Sequence, residues 1–236
     1  MSLVLRVTSE VPDDVHRAVE GAVQRTGTAR ITAIDPIEPG LGTRRFYRLR
    51  LSDGTRLIAR VERPEDPHKR PPGVGPEPPL EPLRSFLEKH GIPVPASRGR
   101  DAAAGIDLLE DLGSETLERV GRGDDPVERR ALYAEACGWV PALQRLEAKP
   151  AAIPAFGRRL DGALFALKGE RFLEWALPHS LGRPPGPAES EAVRAAFAAI
   201  AEESAAAPQR FAHRDFKAAN VHVCRPRDAA PRLVLI

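Results

Sequence analysis

Cysteine is nearly absent: Cys137 and Cys224 are the only two in 236 residues. That excludes a disulfide framework and suits a reducing compartment, with both thiols expected as small buried apolar side chains. Charge of one sign is lacking too. Thirty-five Lys and Arg against 33 Asp and Glu leave a net +2, too little to single out nucleic acid or a membrane surface as partner. No apolar run approaches the roughly 18 residues that span a bilayer. Met1–Val7 has no basic start or cleavage site of a secretory leader. The expectation is a cytoplasmic monomer with neither nucleic acid nor membrane as partner. At 236 residues it has length for one domain or two small ones.

What is present falls into two halves of different character. In the first, Pro12–Thr26 reads as a helix, with Val15, Ala18, Val19, Ala22 and Val23 on one face and Gly27 to end it. Three short strands follow at Ile31–Ile37, Phe46–Leu51 and Leu57–Val61, the last two joined by a Ser52-Asp53-Gly54-Thr55 turn. Proline and glycine crowd 64–82 and predict an extended connector. A helix over Leu80–His90, ended by Gly91, and an apolar strand over Ile106–Leu112 come next, with Ser114 as the cap of the following helix. The second half reads as helical. Segments 126–148, 160–178 and 188–207 carry apolar residues at helical spacing, with Pro141 inside the first. Trp139, Phe165, Phe172 and Trp175 are expected in the core, and Glu170 and Glu174 on an exposed face.

One stretch carries chemistry. Phe211–Asn220 reads FAHRDFKAAN, which contains H-R-D-x-K-x-x-N, the string of a phosphoryl-transfer catalytic loop. Asp215 is placed to accept the proton of an attacking hydroxyl. Asn220, five residues on, is placed to hold a magnesium ion. A short fixed loop presents the base to the acceptor and the amide oxygen to the metal at once. Lys217 adds a cation where charge develops on the transferred group. Val221–Cys224 and Leu233–Ile236 then read as a hairpin.

These residues resemble the aminoglycoside phosphotransferase/choline kinase-like superfamily of small-molecule kinases, and most closely its bacterial N-acetylmuramate/N-acetylglucosamine kinases. The resemblance rests on the catalytic loop and on GTRRFYRL at 42–49, FLEKHGIPVP at 86–95, LLEDLG at 108–113 and FLEWALPHSLG at 172–182. It implies an α+β, protein-kinase-like bilobal fold: a small antiparallel-sheet lobe over 1–107, a hinge at 108–113 and a mostly helical lobe over 114–236. It implies ATP and Mg2+ as cofactors and a small-molecule hydroxyl as acceptor. Gly42 and Thr43 fall where such enzymes cover the phosphates. Arg60 stands where the superfamily usually has a phosphate-pairing lysine, with Glu81, or alternatively Glu77, as its partner. Glu110 and Leu112 lie where hinge backbone meets the adenine edge. About 100 residues separate Gly113 from His213, which separates this chain from protein kinases and suits an acceptor pocket built of helices.

The resemblance also marks departures. Arg60 is larger than the lysine it replaces and grips differently. The sequence stops at Ile236, where the strand delivering a second metal-binding Asp is expected, so a C-terminally truncated kinase of weak activity is the expectation. An amino sugar is the expected acceptor. The alternatives are an aminoglycoside or other hydroxyl acceptor, and a nucleotide-binding pseudokinase without turnover.

Overall fold

A computed structural model of the chain describes residues 11–27, 29–38, 44–62, 76–226 and 229–236. They form two compact units, the first gathering the described residues of 1–64, 93–136 and 215–236, the second those of 65–92 and 137–214.

The first unit is built on an antiparallel sheet of five strands in the order β1-β2-β3-β5-β4, with β1 at Ile31–Ile37, β2 at Arg45–Leu51, β3 at Arg56–Val61, β4 at Ser97–Asp101 and β5 at Ile106–Glu110. Alternation decides its faces. Tyr47, Leu49 and Leu51 of β2, Leu57, Ala59 and Val61 of β3, and Ile106 and Leu108 of β5 pack with Val15, Val19, Ala22 and Val23 of α1 (Asp13–Gln24). The intervening residues, Phe46, Arg48, Ile58, Arg60, Asp107 and Leu109, therefore share the opposite face. The β2–β3 turn needs its glycine: Gly54 has φ +82°, and Asp53 accepts a hydrogen bond from the Thr55 N–H at 2.9 Å.

A two-stranded hairpin completes this unit, β6 at Val221–Cys224 paired with β7 at Arg232–Leu235. Val221, Val223 and Leu233–Leu235 are buried, as are Leu117 and Val120 of the short α3 (Leu117–Gly121). The hairpin is tied to the sheet's connections by the Leu235 N–H to Pro93 O at 2.8 Å and the Val223 N–H to Glu115 O at 3.0 Å. The guanidinium of Arg225 clamps Glu115 at 2.9 Å and Glu128 at 2.6 Å.

The second unit is helical. It contains α2 (Leu80–Lys89), the C-terminal half of α4 (Pro126–Gln144), α5 (Gly162–Arg171), α6 (Leu177–Leu181) and α7 (Pro187–Ala206). Phe86 meets Phe156 edge to face with centroids 5.4 Å apart, and Phe156 stacks on Phe211 at 4.7 Å. Helices α5 and α7 approach closely at Gly169, where a Cβ would lie 3.2 Å from the Phe197 ring. The same two helices are joined by Arg194 and Glu170 at 2.6 Å.

The architecture is the α+β, protein-kinase-like kind the resemblance implied, with several local corrections. Strand β4 was not expected, because SRGRD lacks an apolar alternation. It pairs at the sheet edge through Gly99, whose missing Cβ makes room for Thr26. Helix α1 ends at Gln24 rather than near Gly27. Thr116, not Ser114, caps α3 by accepting from the Arg119 N–H. The segment expected as one helix over 160–178 changes to a π-helical turn at Phe172–Ala176. That turn rotates Phe172 and Trp175 out of the core to 40% and 70% exposure, whereas Trp139 is buried as expected. Cys137 is exposed, not buried. Among the described residues no helix is long and apolar enough to cross a membrane.

Candidate functional site

The loop entering β6 carries the expected trio. Arg214 has φ +72°, a left-handed conformation that costs a non-glycine residue about 1 kcal/mol or more and that the surroundings must impose. It reverses the chain just before Asp215. A single 3-10 turn, Ala218–Asn220, then brings the loop back on itself. Asn220 donates from Nδ2 to the Asp215 carboxylate Oδ2 at 2.8 Å and to the Asp215 main-chain oxygen at 2.9 Å. Lys217 Nζ lies 3.0 Å from the same Oδ2. The Asn220 main chain is anchored in turn, its carbonyl accepting from the Ile236 N–H at 2.9 Å and its N–H bonding Lys217 O at 2.9 Å. A carboxylate, an amide and an ammonium are thus held within one short loop, half open to solvent.

Hydrogen bonding to Asp215 turns the Asn220 NH2 inward, so its carboxamide oxygen points the other way. The amide oxygen of Asn220 is a hard donor of the type Mg2+ takes, and the ion fills its other positions with water and phosphate oxygens. The residues present therefore fit magnesium shared with a nucleotide. No group of three or more His, Cys, Asp or Glu among the described residues is placed to hold a metal by itself.

The other expected residues divide. Gly42 and Thr43 lie outside the described residues. Arg60 is not a solvated strand charge; it is 5% exposed. Its guanidinium donates to Asp107 at 2.7 Å, directly across the β3–β5 ladder, and to Glu62 at 2.6 Å. Arg100 on β4 approaches the other oxygen of Asp107 at 3.3 Å. The ion pair expected between Arg60 and Glu81 is replaced by this network. Glu81 sits one turn from Arg84 on α2 and binds it at 2.8 Å. The Glu110 side chain accepts from the Ala96 N–H at 3.2 Å and from Arg232 at 2.6 Å. Leu112 offers its carbonyl to the Cys224 thiol at 3.8 Å, whose pKa burial pushes up. Glu170 is on an exposed face as expected, and there it is ion-paired to Arg194.

A polar cluster at the hinge end of the sheet went unforeseen. Arg48, on the face away from α1, reaches Asp111 just past β5, Nε to Oδ2 at 3.0 Å, and donates to Gly113 O at 3.4 Å. His222, between buried Val221 and Val223 on β6, faces the same charges. Burial, then the charge of Arg48, holds its imidazole below the usual range, with Asp111 opposing. Arginines at alternate positions of β2, in RFYRLRL, were the available signal. A cavity of about 460 Å³ elsewhere, lined by Arg119, Asp124, Glu128 and Arg225 among others, is not lined by Asp215, Lys217 or Asn220.

No curated protein matches the sequence. A protein-family model does: the APH phosphotransferase enzyme family matches residues 33–232, from β1 through the Asp215–Asn220 loop to the start of β7. With most of its length matched, the chain belongs to this family of phosphotransferases.

Proposed function

We propose that this phosphotransferase moves the γ-phosphoryl group of ATP to a hydroxyl of an amino sugar such as N-acetylmuramate or N-acetylglucosamine. The observation that carries the reading is the Asp215–Lys217–Asn220 loop, closed on itself by the hydrogen bonds of Asn220 and lying within the family match.

The acceptor oxygen bonds to the γ-phosphorus as the bond from that phosphorus to the bridging oxygen of ADP breaks. The acceptor's proton goes to the Asp215 carboxylate. Lys217, already beside Oδ2, orients the carboxylate and offsets negative charge as it spreads over the transferred group. Asn220 would hold Mg2+ through its carboxamide oxygen, and the ion when bound would neutralise phosphate charge. Arg60, fixed by Asp107 and Glu62, and the Gly42–Thr43 segment complete the phosphate clamp in this reading.

Release of ADP in a coupled assay tests it, with amino sugars, unmodified sugars and aminoglycosides offered in parallel. Turnover confined to amino sugars supports the proposal. Turnover with aminoglycosides instead shifts the acceptor class, and nucleotide uptake without turnover on any acceptor would leave a pseudokinase. Asp215→Asn is expected to lower kcat by about 10²–10⁴, the usual contribution of a positioned general base.

A further inference from the structure

Five charged side chains alternate in sign in one row: Arg44, Glu62, Arg60, Asp107 and Arg100, at 3.2, 2.6, 2.7 and 3.3 Å in turn. The two acids hold Arg60 in different ways. Asp107 lies directly across the β3–β5 ladder with its side chain 7% exposed, so that contact is a fixed part of the sheet. The Glu62 side chain is 32% exposed and bridges Arg60 Nη2 and Arg44 Nε. Its main chain is pinned. The Glu62 N–H bonds Gly105 O at 2.9 Å, and the Glu62 carbonyl oxygen lies 2.3 Å from where a Cβ on Gly105 would fall. Only the side chain is left to swing. A carboxylate whose two oxygens meet two guanidinium groups occupies the place that phosphate oxygens take on arginine. The row carries three cations and two anions, and withdrawing Glu62 leaves a second positive charge uncovered, which attracts a polyanion.

We propose that Glu62 is an autoinhibitory side chain: its carboxylate stands in for phosphate on Arg60 and Arg44, and the phosphate groups of the nucleotide displace it in order to bind. Asp107 stays on Nη1 of Arg60 and keeps the guanidinium aimed, while Nη2 exchanges a carboxylate for a phosphate oxygen. Arg60 is closed to solvent at 5% exposure, but the group that caps Nη2 is itself half open, so its departure uncovers that nitrogen. Nucleotide affinity is then reduced by the fraction of molecules in which Nη2 is already taken. The inference rests on the nucleotide-dependent reading above and adds to it an acid that opposes binding.

The full 236-residue chain is titrated by calorimetry with ATP and with inorganic tripolyphosphate, in magnesium buffer and without acceptor, beside Glu62→Gln, Glu62→Ala and Asp35→Asn. Removing a competing charged partner is expected to tighten both compounds by about 10-fold in the Glu62 variants. Glu62→Ala, which leaves no acceptor, decides where the two differ, and Glu62→Gln decides if the alanine variant does not fold. Asp35, exposed and paired with Arg50 at 3.1 Å in the same sheet, controls for charge alone. Asp35→Asn should tighten binding by less than about 2-fold, as expected of a screened surface charge. Binding no tighter than that of the parent once Glu62 is replaced overturns the inference, since Glu62 then merely holds Arg60 in place. Equal tightening by Asp35→Asn overturns it too, because the effect then belongs to overall charge. Failure of the parent and every variant to bind either compound would instead sink the phosphotransferase reading itself, and this inference with it.

Discussion

Asn220 holds Asp215 from two sides, its single amide nitrogen bonding both the carboxylate at 2.8 Å and the main-chain oxygen at 2.9 Å. The residue expected to serve the metal thus also sets the orientation of the expected base. Asn220→Ala should cost both roles, lowering kcat by about 10²-fold or more and raising the magnesium concentration for half-maximal rate. Asn220→Asp retains an oxygen toward the metal but places a second carboxylate against Asp215. It should recover the magnesium response more than the rate, and rates across a magnesium series distinguish the two effects.

Arg60 and Asp107 predict a stability effect that a surface pair would not give. Both side chains are under 10% exposed, and removing one partner from a buried pair strands the other charge. Asp107→Asn is expected to destabilise the protein toward the lower end of about 3–5 kcal/mol, since Glu62 still holds the arginine. Arg60→Leu combined with Asp107→Leu should lose much less. Urea unfolding of the two variants beside the parent checks the order. A single variant no worse than the double would contradict it.

Much of this fold was legible in the sequence because period and punctuation agreed. Strands β1, β2 and β3, the Gly54 turn, α2 and the β6–β7 hairpin lie within a residue or so of where alternation and turn chemistry put them. Strand β4 was not legible: its residues SRGRD alternate nothing apolar, and it is held by pairing to β5 and by the space Gly99 leaves. The grouping of Asp215, Lys217 and Asn220 was legible because it is local, spanning six positions. The partner of Arg60 was not, since Asp107 lies 47 residues away and the choice between it and Glu81 depends on strand order. The Arg48–Asp111–His222 cluster was hidden for the same reason, being drawn from three distant segments. Trp175 reads as core by composition, and only the π-helical turn reverses it.

Gly99 gives a packing test. A Cβ there would lie 2.3 Å from Thr26 Cγ2 and 3.5 Å from a Leu108 methyl. Gly99→Ala should cost about 1–3 kcal/mol as an overpacked position. Thr26→Ser removes the clashing methyl and should return most of the loss. Thermal unfolding of the single and double variants measures it, and additive losses would show that Thr26 is not the obstacle.

Glu189 provides a pH test in the helical unit. Its carboxylate pairs with both terminal nitrogens' reach of Arg183, at 2.8 Å each, and accepts from the Gly186 N–H at 2.7 Å at the start of α7. The arginine first, and then the backbone N–H, lower its pKa from 4.5 to about 2. A carboxylate depressed in the folded state favours folding above its unfolded pKa, 4.5 for Glu189, and the advantage disappears as pH falls through the folded value. Glu189→Gln should therefore lower the thermal midpoint at pH 7. The gap between variant and parent should narrow from about pH 4.5 downward and close near pH 2. Salt should shrink the gap at neutral pH as well, because the pair is exposed and screened. A gap unchanged between pH 7 and pH 2.5 would mean the side chain acts by packing or as a neutral cap, not through its charge.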